Sequence, residues 1–188
     1  MSNIPIILFN KPYGVVCQFS PHEKYPTLKD YIDIPNYYPA GRLDMDSEGL
    51  LMLTNDGRLQ HQVSHPKFKQ NKTYFAQLEG VPDTRKLKLL ETEIHFKDFI
   101  TQPAKFRLLE THEIAKIWPR VPPIRMRKSI SDFWIAITLQ EGKNRQVRKM
   151  TAHVGYPCLR LIRIQIGRIN LFDINLSLGQ YQLVSTLP

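Results

Sequence analysis

Apolar residues along this chain fall into short runs that alternate with turn-forming clusters, and the runs are the lengths of strands more often than of helices. Ile6 to Phe9 is continuous and β-prone, and Lys11-Pro12-Tyr13-Gly14 after it reads as a tight turn. Val15 to Phe19 is expected to return as a second strand, and Thr27 to Ile32 as a short helix. Leu50 to Thr54 is apolar throughout, the pattern of a buried strand. Asn55-Asp56-Gly57 turns it, with Asp56 placed to cap a helix through Val63. Thr73 to Leu78 is a further strand, and Pro82 to Glu91 a helix with Leu87, Leu90 and Val81 on its buried face. Lys105 to Leu109, Phe133 to Leu139, Leu159 to Ile166 and Tyr181 to Val184 complete the strands. Asn144 to Val154 is helical, stopped by Gly155 and Pro157. The segment from Trp118 to Pro123 holds three prolines and suits neither helix nor central strand.

Strands outnumber helices and no strict strand–helix alternation appears, so the expected class is α+β with a largely antiparallel sheet. A chain of 188 residues, 42% hydrophobic, can bury one substantial core, and no linker or repeat divides it. A single domain over residues 1–188 is expected. No apolar run approaches the ~20 residues that span a bilayer, and Met1 to Pro5 lacks the basic and apolar stretches of a secretory leader. Cys17 and Cys158 show no metal spacing, and neither do His22, His61, His65 or His153. Free thiols in a reducing compartment, and hence the cytoplasm, follow.

Charge sharpens this picture. Lys and Arg number 26 against 17 Asp and Glu, a formal net charge of +9. Between Arg120 and Arg168 stand 11 basic residues and two acids, so this stretch alone holds the whole excess. Eight of the 11 are Arg, whose fork suits phosphate. A one-sign block implies an anionic partner, here nucleic acid rather than a membrane surface, because the block lacks a coherent apolar helix face.

Residues 41–57 read GRLDMDSEGLLMLTNDG, in which Asp44, Asp46 and Glu48 crowd into five positions between apolar anchors. A solvated turn, a Mg²⁺ site and a single catalytic carboxylate at a sheet edge all fit that spacing. Residues 141–150 read EGKNRQVRKM. Val147, Met150 and Val154 form a core face, with Arg145, Arg148 and Lys149 on the neighbouring face near the helix start, where anions bind.

Together these segments resemble the pseudouridine synthases of the ribosomal small-subunit and large-subunit type. GRLDMDSEGLLMLTNDG is similar to that family's active-site signature, ILFNKPYGVV at 6–15 to its opening motif, and Lys72-Thr73-Tyr74 to its Lys-x-Tyr strand. EGKNRQVRKM is similar to its third motif, and LRLIRIQIG at 159–167 to the strand backing the site. The Trp118 to Arg125 segment and RKMTAHVGYPCLRLIR resemble one subgroup within it, the large-subunit synthases of type E. The resemblance implies a mixed, mainly antiparallel sheet in two lobes around a central cleft. The RNA-binding domain of the S4 type that many relatives carry is not expected, since the first motif begins at residue 6. It also implies isomerisation of a uridine in large-subunit (23S) ribosomal RNA without a cofactor or metal. On this resemblance Asp44 is the essential aspartate, Tyr74 packs against the target base, and Arg148 pairs with the aspartate. Arg42, Lys72, Arg120, Arg125, Arg127, Lys143, Arg145 and Lys149 are expected to meet RNA, while Lys11, with Lys72, supports the cleft walls. Free ribosomal RNA or an assembly intermediate is the expected partner, and the protein a monomer. The rival readings are a non-catalytic RNA-binding or ribosome assembly factor, a synthase for another ribosomal or transfer RNA site, and a metal-dependent phosphoesterase using Asp44 and Asp46.

Overall fold

The computed structural model describes residues 5–64, 68, 70–124 and 131–185. In chain order the elements are β1 (Ile6–Lys11), β2 (Tyr38–Pro39), β3 (Glu48–Thr54), α1 (Gly57–Ser64), β4 (Lys72–Glu79), α2 (Thr84–Leu87) and β5 (Lys105–Leu108). They continue with α3 (Thr111–Ile114), β6 (Asp132–Leu139), α4 (Gln146–His153), β7 (Cys158–Ile166), β8 (Ile169–Asn170) and β9 (Tyr181–Val184). One sheet runs in the order β5-β6-β4-β7-β3-β1-β9, with β2 on β3 and β8 on β7. The class is α+β and the sheet mixed, because β3 and β7 pair in parallel while the other named pairs are antiparallel.

The parallel junction is the narrow point of the sheet. It pairs Glu48 with Ile162 and Gly49 with Arg163. Gly49 adopts φ 98°, and a Cβ there would stand 2.4 Å from the Arg163 carbonyl oxygen. Only glycine allows the two backbones to approach so closely.

Strands β1 and β3 are buried along their whole length, as their unbroken apolar runs require. Their alternate residues feed two cores: Ile7, Phe9, Leu51 and Leu53 on one face, Ile6, Leu8, Leu50 and Met52 on the other. Val147, Met150 and Val154 bury the expected face of α4 in the first core. Leu59 and Val63 of α1 enter the second, and Asp56 Oδ1 caps α1 by accepting from the Leu59 N–H at 2.7 Å.

Several expectations are corrected. Val15 to Phe19 is not a strand: Val16 makes an isolated bridge to Thr27, and the Val15 carbonyl accepts from Lys11 Nζ instead of a sheet partner. Thr27 to Ile32 tightens into a 3₁₀ turn, Leu28–Asp30. Pro82 to Glu91 divides into α2 and a 3₁₀ turn, Lys88–Glu91. Leu87 and Leu90 are buried there, but Val81 is 71% exposed. Helix α4 starts at Gln146, two residues later than expected, because Arg145 takes a left-handed conformation (φ 50°). The short elements β2, α3 and β8 have no periodicity long enough to announce them. Among the described residues no helix is long and apolar enough to cross a membrane.

Candidate active site

A cavity of about 280 Å³ opens beside the β3–β7 junction. The 41–47 loop supplies one wall, Lys72 and Tyr74 of β4 another, and the 142–147 segment a third; Leu161 and Arg163 of β7 also line it. Its volume is near the lower end of ordinary small-ligand pockets, roughly 300 Å³ and upward.

The three crowded carboxylates have separate fates. Glu48, the first residue of β3, is buried. It accepts from Arg160 Nε at 2.7 Å and Nη2 at 2.8 Å, and from the Trp118 indole N–H at 2.9 Å. Asp46 accepts both arms of the Arg145 guanidinium, at 3.0 and 2.8 Å, and lies 3.5 Å from Arg148 Nε. Burial opposes ionisation of Asp46, but the Arg145 hydrogen bonds and the Arg148 charge prevail and lower its pKa. Asp44 lines the cavity. Its side chain is 40% exposed and reaches only the edge of Arg145, at 3.6 Å. One carboxylate of the three is therefore presented to a ligand.

The loop that presents it is held from below. Lys11 is fully buried, and its Nζ donates to the carbonyls of Pro12 at 2.9 Å and Val15 at 2.8 Å, with Met45 O at 3.5 Å. The Gly14 N–H donates to the Met45 carbonyl at 2.9 Å. Burial drives the Lys11 pKa down to about 8, against the opposing pull of Cys17 and the nearby carboxylates. Arg163, also buried, donates from Nε to Leu50 O at 2.7 Å and from Nη2 to Gly41 O at 3.2 Å. Lys11 and Arg163 thus fix both ends of the Asp44 loop.

The expected Asp44–Arg148 pair is absent. Arg148 sits within α4, and its Nη1 and Nη2 donate to the carbonyls of Cys158 at 3.0 Å and Asp46 at 2.7 Å. It braces the loop without lining the cavity. The guanidinium facing Asp44 is Arg145, assigned from sequence to RNA contact. Tyr74 is buried, opposite Arg163 in the strand register, and forms the cavity wall. Lys72 lines the same cavity and is 4% exposed, so it is not a surface contact.

The other expected RNA contacts scatter. Exposed Arg42 lines the cavity. Lys143 also lines it, held by the Ile100 carbonyl and by Glu141 at 3.3 Å. Arg120 lies 4.2 Å from the centre of the Tyr13 ring. Lys149 turns to Asp98, at 3.7 Å, and to the Phe99 ring. Arg125 and Arg127 lie outside the described residues, as does His65. Within the basic stretch, Arg160 and Arg163 are internal. Sequence reasoning counted Arg163 only as charge, yet an Arg inside an apolar strand is costly to bury and signals a specific role. Cys17 and Cys158 are free thiols, and burial pushes the Cys158 pKa up to about 11. Among the described residues no group of three His, Cys, Asp or Glu side chains is arranged to hold a metal ion.

Known proteins resemble this chain over most of its length. The family described as RNA pseudouridylate synthase matches residues 5–153. The ribosomal large subunit pseudouridine synthase E of Xanthomonas campestris is 48% identical over 180 residues, covering 95% of this chain and 94% of its own. That of Vibrio parahaemolyticus is 47% identical over 174 residues, covering 93% of this chain and 72% of its own. A pseudouridylate synthase crystal structure superposes with a TM-score of 0.76 at 29% identity, covering 98% of this chain and 71% of that one.

Proposed function

The chain belongs to the RNA pseudouridylate synthase family, and on that premise we propose that it isomerises a specific uridine of large-subunit ribosomal RNA to pseudouridine, with Asp44 as the catalytic carboxylate. One observation carries the assignment of Asp44. Of the three carboxylates at 44, 46 and 48, it alone lines the cavity, while Asp46 and Glu48 are committed to arginines.

The reaction detaches uracil at N1 from C1′ of the ribose and rejoins it through C5. Substrate and product have the same composition and oxidation state, so the chemistry calls for no cofactor. A base inside a helix cannot reach an enclosed cavity, so the nucleotide is everted. The Tyr74 ring faces the base, and such stacking is worth ~1–3 kcal/mol. Asp44 attacks the sugar or takes a proton from it, with the Arg145 guanidinium at its edge, 3.6 Å away. Arg42, Lys143 and Arg145 around the cavity, and Arg120 on Tyr13, are placed to engage the backbone of single-stranded or looped RNA. The working state is a cytoplasmic monomer acting on free ribosomal RNA or an assembly intermediate.

The test is release of tritium from ribosomal RNA labelled at uracil C5. The wild-type protein releases tritium in full in the presence of chelator, and Asp44→Asn releases none while binding RNA with near-normal affinity. Substantial turnover by Asp44→Asn would remove Asp44 from the chemistry. RNA binding by the wild type without tritium release would make the protein an RNA-binding factor instead.

A further inference from the structure

The cavity is lined by two cations, Lys72 and Arg163, that form no ion pair with a carboxylate among the described residues. Lys72 and Tyr74 are two residues apart on β4 and share one face of the sheet, and Tyr74 stands opposite Arg163 of β7. All three side chains line the cavity. Arg163 directs its donors to the backbone carbonyls of Leu50 and Gly41 and has no acidic partner among the described residues. Lys72 is 4% exposed, and beyond the backbone pairing of β4 its ammonium has no hydrogen-bond or ion-pair partner among the described residues. Burial, and then the Arg163 charge, lower its pKa. Two buried cations side by side are costly unless an anion joins them. A ligand phosphate is not the best answer, because backbone phosphates are kept in water by their own charge and are met at the rim by Arg42, Lys143 and Arg145.

We propose that Lys72, backed by Arg163, is a catalytic residue that stabilises the uracil ring as an anion while it is detached from the ribose; this rests on the isomerase reading above. When the C1′–N1 bond breaks, its electron pair stays on the base, giving uracilate with charge shared by N1 and the two ring carbonyl oxygens. The sugar carbon is satisfied by the Asp44 carboxylate or by loss of its neighbouring proton. The ammonium and guanidinium hold the anion beside the Tyr74 ring as it turns. C5 then bonds to C1′ as the Asp44–C1′ bond breaks or, on the other route, as C2′ regains its proton; the C5 proton is lost and N1 gains one, so atoms and electrons balance. The cations act only once charge has developed, which is where a preorganised electrostatic contact accelerates a reaction.

The experiment is single-turnover tritium release by Lys72→Met and Lys72→Arg, with RNA affinity measured in parallel. Lys72→Met is expected to slow release by about 10²-fold, as for loss of one charge-stabilising donor, with Kd within about threefold of wild type. Lys72→Arg is expected to stay within about tenfold. The Lys72→Met deficit is expected to shrink when the target is 5-fluorouridine, followed as the rearranged nucleoside after digestion, because fluorine makes the departing base a weaker base. Weakened RNA binding with an unchanged rate at saturation would overturn the proposal in favour of a phosphate contact. So would a wild-type rate for Lys72→Met, or a deficit of equal size on both bases. Thermal melts check the fold, and Lys72→Gln is read by the same criteria should Lys72→Met fail to fold. Unfolding of both would overturn the proposal by making Lys72 structural. A wild-type protein with no tritium release would count against the isomerase reading, whereas an active wild type with an equally active Lys72→Met would sink this inference alone.

Discussion

Arg145 grips Asp46 with both arms of its guanidinium, at 3.0 and 2.8 Å, and is thereby kept at the edge of Asp44, at 3.6 Å. The left-handed backbone at Arg145 starts helix α4, and Arg148, one turn further on, holds the Asp46 carbonyl. Asp46 is therefore the anchor that stops Arg145 from closing fully on Asp44, the carboxylate proposed to be catalytic. A tight fork between Arg145 and Asp44 would occupy the oxygens that reach the sugar in the proposed reaction.

Asp46→Asn is expected to loosen that anchor. Arg145 then shifts toward Asp44, and single-turnover tritium release falls about tenfold, equivalent to ~1.4 kcal/mol, with RNA affinity little changed. In combination with Arg145→Ala the losses are less than multiplicative, because both changes act on one contact. Fully multiplicative losses would separate the two residues.

Glu48→Gln is expected to destabilise the fold rather than alter the chemistry. It strands the Arg160 guanidinium beneath the sheet, where the ion pair is 2.7 Å long and its side chains are 7% and 1% exposed. Breaking one side of such a buried pair costs ~3–5 kcal/mol. Urea unfolding measures it, and the double change Glu48→Met with Arg160→Met is expected to recover much of the loss.

These partners also explain what the sequence could disclose. The runs that became β1 and β3 are apolar throughout, so their burial was legible, and so was the Asp56 cap three residues before its donor. The class and the antiparallel bias followed from strand count. The separate fates of Asp44, Asp46 and Glu48 did not, because the arginines that sort them lie 99 and 112 residues further along. Resemblance to a family, not local spacing, singled out Asp44. It misplaced the Asp44 partner, since a motif places both Arg145 and Arg148 near a helix start without giving the φ of 50° that decides which one turns to the cavity. Val15 to Phe19 was misread for a similar reason: a β-prone run lost its carbonyl to a buried lysine on a neighbouring strand.

Gly49→Ala is expected to separate the two halves of the sheet. The added methyl would lie 2.4 Å from a backbone oxygen at φ 98°, and neither the oxygen nor the dihedral can yield cheaply. Left-handed strain alone costs ~1–3 kcal/mol, and the clash adds to it. Thermal unfolding should shift down strongly, and any folded fraction should lose activity because Arg163, which ties down the Gly41 carbonyl, moves with the junction. A melting temperature close to wild type would show that the junction is not the tight point.

Lys11 makes stability depend on pH in an uncommon direction. Its folded pKa is about 8, below the ordinary 10.5. Between those values the unfolded chain binds a proton at this position that the folded protein has released. Stability from this group therefore rises as pH increases from about 8 to about 10.5, and below pH 8 both states are protonated and the burial cost is felt in full. The whole window is worth on the order of 3 kcal/mol. Lys72, also lowered, contributes with the same sign. Denaturant midpoints measured between pH 7.5 and 10 should rise less steeply in Lys11→Met than in the parent, even though that variant is less stable at pH 7 for want of a donor to the Pro12 and Val15 carbonyls. Parallel slopes in the two proteins would show that the buried ammonium titrates normally and that solvent reaches it beneath the Asp44 loop.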